Sequence, residues 1–109
     1  MSICYHEGSR ECHLSNRDIS YIITVLKNGQ LGQLYFGKKL HDRESFAHLL
    51  ELRPRPMAVC TYEGDSTFSM EHIKQEYPAY GSGDMRYPAF QILQSNGSRI
   101  TDFTYISHK

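Results

Sequence analysis

The sequence predicts an all-β fold built from antiparallel hairpins, and three observations carry that prediction. The run Ile19-Ser-Tyr-Ile-Ile-Thr-Val-Leu26 is dense in β-branched and aromatic residues, which fit a pleated surface. Asn28-Gly29 and Asn96-Gly97 each separate two apolar segments, the strongest short-range signal for a hairpin. The aromatic complement is eight Tyr and five Phe with no Trp, a mixture suited to sheets.

Taken in chain order, short strands are expected at Ile3–Tyr5 and Glu11–Leu14, the second ending in the turn signal Ser15-Asn16. In the next strand Ile19, Tyr21, Ile23 and Val25 share one face, and Ser20, Ile22, Thr24 and Leu26 the other. Both faces are largely apolar, which predicts cover on both sides, at least in part. Asn28-Gly29 is read as a type I′ turn, with Leu31–Phe36 as the return strand closed by Gly37. Arg43–Leu52 has two turns of helical pattern, with Phe46, Leu49 and Leu50 on one side. Arg53-Pro54-Arg55-Pro56 ends it, because proline disfavours helix in the residue before it. From there to Pro88 the periodicity is weak, and a long central loop is expected. Ala89–Gln94 and Arg99–Ile106 form the second hairpin, about the turn Ser95-Asn96-Gly97-Ser98.

The chain has 109 residues, 12 Lys+Arg against 12 Asp+Glu, and a net charge of zero. That is one domain at most, with no basic face for nucleic acid or an anionic membrane. The longest apolar run stops at Lys27, far short of a bilayer span. The N-terminus has no apolar stretch of signal-peptide length. With Met1 as the start, and three cysteines (Cys4, Cys12, Cys60) that fit reduced thiols better than a disulfide framework, a cytoplasmic protein is expected.

The residues that could carry chemistry are few. Glycosidases need two carboxyls at fixed separation, one with a raised pKa. Glu63, Asp65, Glu71 and Glu76 read instead as loop charges or local ion pairs. Asp84 and Arg86 lie in the glycine-flanked loop Gly81-Ser-Gly-Asp-Met-Arg86, where a planar guanidinium suits pairing with the acid or meeting a sugar hydroxyl. By spacing alone the structural ion pair is favoured. Cys4-x-His6 and Cys12-His13 do not have zinc-site spacing, and neighbours on a strand point to opposite faces. No metal or cofactor is expected. The six histidines stand near no nucleophile signature, and Gly81-x-Gly83 is no phosphate loop. Tyr77, Tyr80, Tyr87 and Phe90 could stack on sugar rings, although aromatics beside Pro and Gly more often pack locally.

Three motifs carry a resemblance. The string from Ser66 to Tyr80, STFSMEHIKQEYPAY, is similar to the "TFSLE…QEYP-Y" segment of bacterial α-galactosidases of glycoside hydrolase family 36. Gly81–Phe90, GSGDMRYPAF, resembles "GTGDFREPAF" of that family, and Asn96–Tyr105 followed by Ser107-His108 resembles "NGSRITDFRYKSH". Upstream of these three motifs, Tyr21 and Gly29–Gly37 also resemble its "GYLxHLYxGK" hairpin. The resemblance spans nearly the whole chain. It implies an antiparallel β-sandwich, part of an N-terminal β-supersandwich, in an enzyme whose catalytic aspartates lie in a following (β/α)₈ barrel. Residues 1–109 are then expected to be a partial N-terminal domain without the barrel, inactive alone. The parent is expected to act on melibiose- or raffinose-type α-galactosides, commonly as a tetramer.

Two departures stand out. Where many members have Ser-Asp-Arg-Thr-Phe-Ser, this chain has Gly64-Asp-Ser-Thr-Phe-Ser69, with Ser66 in place of the arginine. Leu52-Arg-Pro-Arg-Pro-Met57 stands where an Asp-Arg-x-Phe segment associated with substrate binding is expected. The expected functional residues are therefore Asp84 and Arg86 alone, in a substrate-binding or subunit-contact role, against the alternative that they only tie their loop down. A stand-alone carbohydrate-binding or architectural sandwich is the competing reading. The absence of Trp weighs against an aromatic sugar platform.

Overall fold

The computed structural model describes residues 1–54, 57, 61–81 and 86–109. Strands β1 (Ser2–His6), β2 (Glu11–Ser15), β3 (Ile19–Val25) and β4 (Leu31–Lys38) form an antiparallel sheet in the order β1-β2-β3-β4. Strands β5 (Thr61–Tyr62) and β6 (Asp65–Ser69) form a second, two-stranded antiparallel sheet. The all-β antiparallel reading therefore holds.

The β3–β4 hairpin forms, but its turn is not type I′. Gly29 N–H donates to Leu26 O (2.9 Å), and Leu26 N–H donates to Gln30 O (2.8 Å). Gly29 has a φ of 84°, while Asn28 stays at negative φ. A three-residue loop with only its last residue left-handed matches the right-handed strand twist just as well. A side chain at Gly29 would also meet Thr104, whose Cγ2 lies 2.5 Å from where a Cβ would stand.

Pairing in β3–β4 shifts between Ile22 and Ile23, which oppose Tyr35 and Gln33. Leu34 is the extra residue of this bulge. Leu34 is buried, and Tyr35 packs with it against the cluster of Ile22 and Phe46. The bulge thus turns two successive side chains toward one core. A second cluster joins Leu26 to Phe68, Met70 and Ile73, so the small sheet shares its core with the end of β3.

The free edge of β4 is partly covered. Gln33 N–H donates to Lys74 O (2.9 Å) and Glu76 N–H to Leu31 O (3.0 Å), with Gly32 bridged to Gln75. Such cover removes an open strand edge.

Three expectations are corrected. First, the helical turns expected in Arg43–Leu52 shrink to a 3-10 turn at Ala47–Leu49, after which Leu50 is extended. The Phe46 amide at the head of this turn is held by the Glu11 carboxylate. Second, the long central loop contains the β5–β6 hairpin, which turns at Gly64 with a φ of 83°. Strands this short show too few alternations for periodicity to register. Third, neither Ala89–Gln94 nor Arg99–Ile106 is a strand, although the turn between them forms through Gly97 N–H to Gln94 O (2.9 Å) and Gln94 N–H to Ser98 O (2.9 Å). Their backbone groups bond elsewhere: Ala89 N–H to Pro78 O, Thr101 N–H to Tyr80 O and Tyr105 N–H to Gly29 O.

Candidate functional site

Antiparallel register sorts the main sheet into two faces. Cys4 opposes His13, His6 opposes Glu11, and His13 opposes Ile22. Glu11, His13, Ser20, Ile22 and Thr24 lie on one face and are all buried. The other face carries Ile3, Tyr5, Cys12, Leu14, Ile19, Tyr21, Ile23 and Phe36. There Ile3 is 61% and Phe36 66% exposed.

The polar groups of the buried face fasten the segment Lys39–Leu50. Asp42 Oδ1 lies 2.7 Å from His13 Nδ1 and 3.1 Å from His6 Nε2. An ionised carboxylate only accepts, so both ring nitrogens donate. His13 Nε2 is then the acceptor for the Ser20 hydroxyl at 2.9 Å, and Ser20 Oγ accepts from Leu40 N–H at 2.9 Å. Hydrogen bonding from His13, followed by that from His6, holds the Asp42 carboxyl below its usual range. Glu11 accepts from Ser45 Oγ (3.0 Å) and Phe46 N–H (2.7 Å).

Ser20, His13 and Asp42 thus occupy the relative positions of a serine-histidine-aspartate relay. The geometry is that of a brace. Ser20 is 0% exposed and its oxygen already accepts the Leu40 amide, so no substrate can reach it. Sequence reasoning missed the constellation because Asp42 lies 29 residues from His13. The usable signal was the β2–β3 register, which puts His13 and Ser20 on one face.

The loop singled out in the sequence is only partly described. Asp84 lies outside the described residues, so its pairing with Arg86 does too. Arg86 Nη2 donates to Met70 O (2.8 Å) and Ile73 O (2.6 Å), tying the loop to the turn that follows β6. Gly81 has a φ of 103° and packs over Ile100, leaving no room for a Cβ. Tyr77, Tyr80 and Tyr87 are exposed, whereas Phe90 stacks on Phe103 with ring centroids 5.0 Å apart.

The other carboxylates are engaged locally or exposed. Asp65 pairs with Lys27 and accepts from the Thr67 hydroxyl and amide. Lys27, first among these, drives its pKa well below the carboxylate range. Glu63 is exposed in the β5–β6 turn. Burial, and then the nearby Glu76 carboxylate, push the Tyr21 pKa up to about 12. Cys4 and Cys12 are free thiols on opposite faces of the sheet. No three His, Cys, Asp or Glu side chains among the described residues stand ready around one cation position. No helix among those residues is long and apolar enough to cross a membrane.

The class this defines is an antiparallel β domain with braced loops and one half-exposed apolar face. Residues 29–109 match the family model described as the glycosyl hydrolase family 36 N-terminal domain, and the chain belongs to that family. It is 35% identical, over its whole length, to 15% of the α-galactosidase AgaA of Geobacillus stearothermophilus. The crystal structure of the Lactobacillus brevis α-galactosidase superposes with a TM-score of 0.89 at 38% identity, covering 96% of this chain and 14% of that one. A variant of Geobacillus stearothermophilus AgaA in complex with raffinose superposes with a TM-score of 0.78 at 35% identity, covering 91% of this chain and 14% of that one. The chain thus spans about one seventh of the proteins it matches.

Proposed function

We propose that this chain is the non-catalytic leading β portion of an α-galactosidase that hydrolyses terminal α-galactosides of the melibiose and raffinose type in the cytoplasm. The observation that carries the reading is the full-length match to about 15% of an α-galactosidase. A similar domain belongs to the AgaA variant that holds raffinose.

In this reading the domain contributes to the fold of the parent, to subunit contacts in a tetramer, and to one edge of the active site. The open face bearing Ile3, Ile19 and Phe36 supports it, since apolar area of this kind is normally covered by further strands. The loop Tyr77–Pro88 is the proposed edge, with Asp84 as its candidate residue for contact with substrate or a neighbouring subunit. Arg86, bound to two carbonyls of its own chain, sets the loop's position.

The test is galactose release from an aryl α-galactoside by the purified 109-residue chain. No turnover above a mock purification is expected. Turnover that disappears in Asp84→Ala would overturn the reading and place a catalytic group within this chain.

A further inference from the structure

We infer that the segment Leu40–Phe46 is an acid-released strap, fastened to the sheet through two carboxylates and able to open while the sheet stays intact. The fastening runs in both directions. Glu11 reaches from β2 to the strap, where it accepts from Ser45 Oγ and Phe46 N–H. Asp42 reaches from the strap to β1 and β2, where it accepts from His6 and His13. The neutral anchors are Leu40 N–H to Ser20 Oγ (2.9 Å) and Ser9 Oγ to Glu44 O (2.8 Å). The 3-10 turn behind the strap is short, and its buried apolar anchor at this end is Phe46, set against Ile22 and Leu34.

The direction of the pH response follows from the donors. His6 Nε2–H and His13 Nδ1–H donate to Asp42, so the charge that strengthens both bonds sits on the carboxylate. A proton on the Asp42 carboxyl removes that charge and leaves two weaker bonds to a neutral acceptor. The other titratable or charged groups around the strap are Cys4, Tyr5 and Glu7 on β1 and the turn after it, Tyr35 on β4, and Lys39, His41, Arg43, Glu44 and His48 on the strap and its flanks. None of these has a hydrogen bond to the Glu11 or Asp42 carboxyl oxygens. The strap is therefore loosened as Asp42 takes up its proton. Stability linked to Asp42 is present above its unfolded pKa and is lost as pH falls through its lowered folded value.

The experiment is amide hydrogen exchange by NMR on the full chain between pH 7 and pH 3, corrected for intrinsic rates. Protection of the Leu40 and Phe46 amides is expected to fall as the pH drops through the folded Asp42 pKa, by about tenfold for each unit separating its folded and unfolded values, while the β2–β3 ladder amides of Tyr21 and Ile23 stay protected. In Asp42→Asn the acid step should shrink, whereas Glu11→Gln should lower Phe46 protection at every pH. Loss of Leu40 and Phe46 protection together with that of Tyr21 and Ile23 would overturn the inference. So would an unchanged acid step in Asp42→Asn.

Discussion

His13 Nδ1 and Asp42 Oδ1 meet at 2.7 Å across 29 residues of chain, with the ring 3% exposed. The contact joins the second strand to the segment that covers the sheet. His13→Leu keeps comparable bulk but leaves the Ser20 hydroxyl without its acceptor in a site closed to water. A loss of about 2–3 kcal/mol is expected, read by urea denaturation at pH 7. The Asp42 contribution to acid sensitivity should shrink in the same variant, because His13 is the first cause of its lowered pKa. An unchanged midpoint would mean that the relay adds nothing to the fold.

Gly29 is fixed by two constraints at once, a φ of 84° and the Thr104 methyl 2.5 Å from a would-be Cβ. Gly29→Ala should cost at least the left-handed penalty of about 1–2 kcal/mol. Thr104→Ser in the same chain removes the methyl and should restore only the steric part. Full rescue by the serine would show that the turn conformation itself carries no strain.

Arg86 donates to two carbonyls of the turn after β6. Arg86→Met keeps most of the aliphatic stem and should cost about 1–3 kcal/mol, measured as a lower midpoint. In a full-length parent enzyme, a raised KM or a broken tetramer with the subunit still folded would mark the loop as part of a site. Wild-type KM and assembly with reduced thermal stability alone would mark it as a brace.

The face bearing Ile3, Ile19 and Phe36 is open, and β1 is the sheet's other edge strand. The isolated chain should therefore self-associate in sedimentation experiments. Phe36→Lys, at a side chain 66% exposed, should shift the distribution toward monomer with little change in stability. A monodisperse wild-type monomer with a sharp, high-temperature unfolding transition would show that the covered face already makes a complete core.

Local chemistry made much of the architecture readable. The β3–β4 hairpin was legible because β-branched residues, Asn28-Gly29 and an apolar return segment all agree within one short stretch. The two N-terminal strands were legible as short segments, the second closed by the turn signal Ser15-Asn16. The second Asn-Gly signal was legible only as a turn. Whether flanking segments become strands depends on which distant carbonyls their amides find, and those of Thr101 and Tyr105 find Tyr80 and Gly29. Arg86 was singled out with Asp84 as a candidate substrate-binding or subunit-contact residue, but its carbonyl partners on the turn at 70–73 were not legible, because nothing in local spacing predicts that approach.

By itself the sequence determined an all-β antiparallel chain, its main hairpin, and membership in a glycosidase family through three ordered motifs. Only the tertiary structure decided which face of that hairpin is deeply buried. Alternation made both faces of Ile19–Leu26 look apolar, and the richer one, with Tyr21, Ile23 and Val25, is the face left half-exposed. The face with Ser20 and Thr24 is buried beside Glu11 and His13. The physical reason is that buried polar groups are tolerated when hydrogen-bonded. Here most of their partners sit on Leu40, Asp42, Ser45 and Phe46, a segment whose approach no strand periodicity encodes.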